Sequence, residues 1–425
     1  MRATKAVPKG SPIVTLPFTS CLSASSVENT IPPGLEAFWS ATPNPTDRLA
    51  ALLLQEWQLG AKSLWYNYIN NLPEVGSRTV SPIHWPREML AAFPYVSLGV
   101  EVLKQQRTWM KLHETLVRSA PAMRDVSYER FVWAMEAVAS RAFQGSVDFS
   151  SPSFPLDPRV PVAVSSLALA ASLVLYLQNS IPDLPMAALC TGIVLGGVFW
   201  QRTGQFRGTS CALLPVIDSA NHRGTNPSCT LSLPVSAKQF VMVADKSLGV
   251  GEEITISYGN RHNDALLQYF GFVEQHNMFD RYVLVQAKDK LEAMLEDDYD
   301  KFARLQEDIV QCILNQDVEK LKAKLKKTDR IYLDLTKTAQ VILEDSEVAF
   351  AQSTLCQGMS SEKKRETLLK LLRFEAVLLD KQTSRFLATH GCSFDDNNEL
   401  NCWIQLFLQE KKRVLDVVCS NLRKD

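Results

Sequence analysis

The stretch "LLPVIDSANHRGTNPSC" (213–229) carries an apolar run into Asp218, then presents the carboxamide of Asn221 and the imidazole of His222 before Gly224 and Pro227 turn the chain. A second run, "GEEITISYG", ends on the phenol of Tyr258. A third, "VASRAF", ends a helical pattern on Ser140, Arg141 and Phe143. All are hydrogen-bonding or aromatic groups at the ends of elements. Each alone reads as punctuation, because Asn, Gly and Pro mark turns everywhere. Disulfide and structural-zinc roles for the cysteines are disfavoured at once. Nine cysteines, at 21, 190, 211, 229, 312, 356, 392, 402 and 419, form no CxxC pair and are odd in number. That argues against a structural zinc site or a disulfide framework, and no metal is expected. Reduced thiols point to a reducing compartment.

The elements that must position these groups change in texture along the chain. "ATKAVPKGSPIVTLP" reads as strand, turn, strand, with Pro8-Lys9-Gly10 as the turn. "ADKSLGVGEEITISY" (244–258) repeats that grammar, Ala3 matching Ala244, Lys5 Lys246, Gly10 Gly251 and Ile13 Ile254. Two such segments far apart imply a β-rich unit completed by both ends of a long insertion. Within it, "DRLAALLLQEWQLG" has Leu49, Leu52, Leu53 and Trp57 at helical spacing, and "SYERFVWAMEAVASRAF" is an amphipathic helix capped by Ser127. From about Asp280 onward, charged segments with apolar stripes every three or four residues predict a helical bundle, in which "KLKAKLKKTDR" reads as a solvated face.

Residues 160–200 hold two uncharged runs, of 16 and 15 residues, separated by "QNSIPDLP". Each would make roughly 24 Å of helix against a hydrocarbon core of about 30 Å. A membrane hairpin and a buried or interfacial helical pair are both open readings. The chain has 425 residues, 46% apolar and 21% charged, which is a globular composition suggesting two or three domains. A net charge of −1 gives no pull toward nucleic acid. The N-terminus lacks the continuous apolar core of a signal peptide and is not a convincing transit peptide.

The order strand–turn–strand, helical insert ending "SRAF", "DSANH", then "SYGNRHNDALLQYFGFVEQHN" and a helical C-terminus resembles the SET-domain protein methyltransferases of the Rubisco large-subunit methyltransferase branch. The resemblance covers most of the chain outside roughly 144–208. It implies an α+β fold: a SET-type β-rich domain over 1–279 with a helical insert (about 45–143) and an apolar helical-hairpin insertion (about 145–208), followed by an all-α domain over 280–425. It also implies methyl transfer from S-adenosyl-L-methionine to a lysine of a protein substrate gripped by the C-terminal helices. Such a site must deliver a neutral amine, although a free lysine has a pKa of about 10.4, and must hold donor and acceptor in line. On this resemblance Tyr258 is the catalytic tyrosine. Asn221, His222, Ser140, Arg141, Tyr258 and Phe272 bind the cofactor, Phe143 and Phe270 line the substrate channel, and Asn263 supports the closing loop. Histidine as the methylated residue is a sibling reading.

Three positions depart from the resembled pattern. The family's Gly-rich cofactor segment is expected before Met1-Arg2-Ala3, Gly145 stands where a basic residue is usual, and Phe270 stands where relatives often have Tyr. These departures define the alternative: a catalytically impaired SET-fold scaffold for protein contacts. Plastid, cytoplasm or a membrane surface all stay open as the location, and oligomeric state is not legible.

Overall fold

The computed structural model describes residues 1–25, 31–77, 80–145, 210–233, 238–325, 330–390 and 399–424. The apolar insertion, including the two runs of 160–200, lies outside them. No described helix is long and apolar enough to cross a membrane.

Strands β1 (Pro12–Pro17), β7 (Gln239–Ala244) and β6 (Cys229–Ser232) form one antiparallel sheet in the order β1-β7-β6. Strands β2 (Leu22–Ser25), β4 (Ser210–Leu213) and β3 (Phe143–Gly145) form a second, also antiparallel, in the order β2-β4-β3. A parallel pair joins β5 (Asn221–His222) to β8 (Thr255–Ile256), with Asn221 opposite Thr255 and His222 opposite Ile256. Pairing two short segments from distant parts of the chain is what brings the "NH" and "SYG" motifs together.

The repeated grammar of the two β segments has a different outcome from two self-contained hairpins. They pair with each other. Arg2 bridges Glu253 and Val7 bridges Leu248. The Ala3 amide donates to Glu252 O (2.9 Å) and the Gly251 amide to Ala3 O (2.8 Å). Gly10 and Gly251 both turn at positive φ, 82° and 83°, where a side chain would be strained. Buried Ala3, Met242, Leu248, Ile254 and Ile256 close a small core between them.

The helical insert contains α1 (Glu36–Ala41), α2 (Pro45–Leu59), α3 (Tyr66–Asn70), α4 (Arg87–Ala92), α5 (Val96–Ser119) and α6 (Tyr128–Arg141). Ser127 caps α6 as expected, its hydroxyl accepting from the Arg130 amide at 3.2 Å. On α2, Leu49 and Leu53 are fully buried and Leu52 partly so, but Trp57 is 37% exposed and carries the Arg130 guanidinium 4.3 Å from its ring centre. Spacing put Trp57 on the apolar face. The cation–π contact gives the large ring a partner without burial.

The closing segment of the β part is α7 (Asn263–Ala265), which runs into a π-helical turn, Leu266–Phe270. Beyond it come α8 (Ala287–Leu295), α9 (Tyr299–Leu314), α10 (Val318–Lys324), α11 (Ala339–Gln352), α12 (Ser361–Thr389) and α13 (Glu399–Lys424). The α+β class is borne out. The C-terminal segment is nevertheless not all helical: β9 (Arg281–Val285) and β10 (Arg330–Asp334) pair antiparallel, Arg281 opposite Asp334. "RYVLV" and "RIYLD" are five-residue apolar runs, too short for periodicity to separate from the surrounding helical stripes. Their buried Val283, Leu284, Ile331 and Leu333 join a core that also takes Trp85, Phe93, Tyr95 and Leu103 of the insert and Phe407 and Leu415 of α13.

Candidate active site

The chain enters the site through a strained turn. Val216, β-branched and 55% exposed, has φ 73° and ψ −51°, the dihedrals of the rare γ-turn. The turn swings Ile217, Asp218 and Ala220, all buried, beneath the end of α6. There the Arg141 guanidinium donates from Nη1 to Asp218 O at 3.2 Å. The Asp218 carboxylate is buried, accepts at Oδ2 from the Tyr68 hydroxyl, and has no hydrogen-bond partner at Oδ1 among the described residues. Burial pushes its pKa up, opposed by the Tyr68 hydrogen bond and by Arg141.

Tyr258 and His222 then lock together. The Tyr258 amide donates to Nδ1 of His222 at 3.0 Å, and the Tyr258 hydroxyl donates to Ala220 O at 2.8 Å. With Nδ1 accepting, the neutral ring carries its proton on Nε2, which lies 3.5 Å from Glu274 Oε2. The His222 side chain is 2% exposed. Burial lowers its pKa against the opposing pull of Glu274, so the neutral form is the folded one.

Aromatic rings wall this lock. Tyr258 stacks on Phe270 (centroids 5.0 Å apart, planes at 30°) and lies 5.0 Å from His222, which in turn lies 5.9 Å from Phe272. The two phenylalanines flank Gly271, whose φ of 76° caps the π-turn in the left-handed region. That reversal lets residues on both sides of Gly271 reach the same pair of rings. The extra residue of a π-turn is a common device for re-aiming a side chain at a site.

Asn263 fastens the segment. Its Nδ2 donates to Glu274 O and Asp280 Oδ2, both at 3.1 Å, and its Oδ1 accepts from the Glu274 amide at 3.0 Å. Glu274, fixed by this, also accepts from the Gly224 amide at 2.8 Å. A Cβ on Gly224 would fall 2.4 Å from the Glu274 carboxylate, so a larger residue there would displace that carboxylate from the Gly224 amide.

The structure brings His222, Tyr258, Phe270 and Phe272 into one cluster. Phe143 joins it from β3, half-buried at the seam between the apolar cluster holding Tyr258 and the one holding Leu16, Leu214 and Phe240. Asn221 sits at the rim, exposed, its amide donating to Glu253 Oε1 at 2.7 Å. Ser140 donates back to Glu136 O of its own helix at 2.7 Å, and Arg141 reaches the site by way of Asp218. Sequence reasoning did not single out Glu274, Tyr68 or Glu253. Glu274 carried the readable signal: a carboxylate directly after the apolar "GFV" must find a partner when that run is buried. Among the described residues no group of His, Cys, Asp or Glu is placed to hold a metal ion, and every described cysteine is a free thiol.

An NH segment paired in parallel with the strand that leads into SYG, closed by GFV and followed by helices, is the arrangement a related fold must share. No protein-family model matches the chain. Ribosomal lysine N-methyltransferase set10 of Schizosaccharomyces pombe (strain 972) is 23% identical over 267 residues, 60% of this chain. The match spans 38% of that relative's length. Among solved structures, the SET domain of LSMT bound to lysine and AdoHcy is similar over 100% of this chain and 84% of its own, with a TM-score of 0.53 at 14% identity. Rubisco LSMT bound to Sinefungin and monomethyllysine has a TM-score of 0.54 at 15% identity over 100% and 84%. Rubisco LSMT bound to AdoMet has a TM-score of 0.51 at 15% identity over 99% and 84%. The chain has the SET fold of these structures, and the resemblance read from its motifs is borne out.

Proposed function

We propose that this protein transfers a methyl group from S-adenosyl-L-methionine to a lysine side chain of a protein substrate. The observation that carries the reading is the junction of two motifs 36 positions apart. The His222 imidazole fixes the Tyr258 backbone while the Tyr258 hydroxyl rests on the Ala220 carbonyl, inside a wall made by Phe270 and Phe272. The similar proteins named above point the same way, one being a ribosomal lysine N-methyltransferase and the others LSMT structures with AdoMet, AdoHcy or lysine.

The residues present fit the donor. Aromatic faces accommodate cations, and the cluster offers Tyr258 beside a backbone carbonyl. Asn221 and His222, with Ser140, Arg141 and Phe272, would hold S-adenosyl-L-methionine. When bound it supplies a methyl group on a sulfonium. The protein's own part is positioning and desolvation. Phe270 and Phe143 offer an apolar lining that favours the neutral amine over ammonium. The Tyr258 hydroxyl and the Ala220 carbonyl provide oxygen atoms that hold the amine and polarised C–H groups. His222 fixes the Tyr258 backbone while the Ala220 carbonyl and the Phe270 ring hold its side chain, which preserves the alignment that transfer needs. The C-terminal segment, packed against α5 and the closing turn, would grip the substrate protein.

The test is calorimetric titration of the protein with S-adenosyl-L-methionine, then transfer of labelled methyl groups to protein extracts with the modified residue read by mass spectrometry. Donor binding with methyl-lysine as product is the expected result. Absence of donor binding by the folded protein would sink the proposal.

A further inference from the structure

A cavity of about 370 Å³ opens where α5, α7 and the β9–β10 ribbon meet, beside the Tyr258 turn. Its lining is basic and aromatic: Arg261, His262, Arg281 and Arg330, with Tyr269 and Tyr332. Two acids also face it, and both are engaged. Asp264 lies 3.2 Å from the buried Lys411 ammonium and 3.4 Å from His262, while Glu101 meets both Lys104 (2.9 Å) and Arg330 (3.3 Å). Polar atoms of both signs lack a hydrogen bond here among the described residues, Asp264 Oδ1 included. Nε of Arg281 and Nε of Arg330 are both buried, and neither has a hydrogen-bond partner among the described residues. A buried donor or acceptor left without a partner is costly, more so when charged. Arg281 rests over the Tyr332 ring, 5.5 Å from its centre, and three guanidinium side chains against two carboxylates leave the lining net cationic.

Arg261 ties the cavity to the Tyr258 turn. It is exposed, lines the cavity, and donates from Nε to Tyr258 O at 3.1 Å. Three residues of chain reach about 10 Å at most, so Arg261 places the cavity within a few extended residues of the Tyr258 backbone.

We propose that this cavity is an anion-recognition subsite, taking a carboxylate or phosphate carried by the protein substrate a few residues from its target lysine. The inference rests on the methyl-transfer reading for the nature of its ligand. Guanidinium groups suit this task because their planar forks match both anions. Occupancy would draw Arg261 toward the anion and thereby set the Tyr258 carbonyl.

The test uses three fluorescein-labelled nonapeptides, identical except at the positions three residues either side of a central lysine, which hold glutamate, phosphoserine or glutamine. Binding to the full chain is read by anisotropy without methyl donor, so its outcome does not depend on catalysis. At least one acidic peptide should bind ten-fold or more tighter than the glutamine peptide, and which one does so identifies the anion. Arg330→Gln should reduce that preference below three-fold. Equal binding of all three peptides overturns the proposal, as does a folded Arg330→Gln protein that keeps the ten-fold preference. Should Arg330→Gln fail to fold, Glu101→Gln frees the Arg330 guanidinium of its carboxylate and should tighten the preferred acidic peptide at least three-fold. Unchanged affinity there also overturns it.

Discussion

The imidazole of His222 accepts the Tyr258 amide proton only while Nδ1 is bare, so the lock at the site is itself titratable. Burial holds the His222 pKa below its ordinary 6.5. The unfolded chain therefore takes up this proton more readily than the folded one. Its stabilising contribution is complete above about pH 6.5 and is lost as pH falls through the folded value. Following the His222 ring by NMR should give a midpoint below 6.5, and a midpoint at or above 6.5 would contradict the geometry. Tyr258→Phe keeps the ring stack on Phe270 but removes the hydroxyl from the Ala220 carbonyl. Methyl transfer is expected to fall by about 100-fold or more, the scale of losing one preorganised polar group at a reacting centre. Donor affinity, read by calorimetry, should change by less than about three-fold. At this scale the sequence was informative about residue type and silent about duty. "NH" and "SYG" marked His222 and Tyr258, but nothing in their spacing says that the imidazole serves the Tyr258 backbone, or that the Asn221 amide turns to Glu253.

Two elements aim these side chains. The turn at Val216 places a β-branched residue at φ 73°, a conformation of order 1–3 kcal/mol above the common regions. Val216→Gly should stabilise the fold by about 1 kcal/mol, seen as a higher urea midpoint with an unchanged slope. The second element is α7 with its π-turn, held at its first residue. Asn263→Ala would leave the Glu274 amide and carbonyl and one oxygen of Asp280 short of partners in a buried setting. A loss of about 2–4 kcal/mol is expected from denaturant unfolding, with Phe270 and Phe272 released from the site. The helices α2 and α6 were legible because their apolar stripes and the Ser127 cap are local signals. The π-turn and the β9–β10 ribbon were not, since one extra residue in a turn and five-residue apolar runs leave no period to read.

For the molecule as a whole, the tie between the site and the C-terminal helices is Lys411. Its side chain is fully buried, 2.7 Å from Asp280 Oδ1, 2.8 Å from Arg281 O and 3.2 Å from Asp264 Oδ1. Asp280 also accepts from the Asn263 amide at 2.9 Å, so α13 is fastened to the segment that carries Phe270 and Phe272. Burial by itself would raise the Asp264 pKa, but Lys411, His262 and Arg281 together bring it below the ordinary value. Lys411→Ala would strand both carboxylates and is expected to cost about 3–5 kcal/mol. Adding Asp280→Asn should recover part of that loss, as a double-mutant cycle of unfolding free energies would show.

By itself the sequence determined the α+β class, the order of its parts, the capped insert helix, and the two motifs whose combination resembles a SET domain. Those are properties of local composition, periodicity and turn chemistry, which act over a few residues. Only the tertiary structure decided that the two β segments pair with each other, that His222 and Tyr258 lock through a parallel strand pair, and that Lys411 secures the closing turn. Each of these depends on contacts between groups 36 to more than 200 positions apart, and no local preference encodes which distant partner a buried amide, ring or charge will meet.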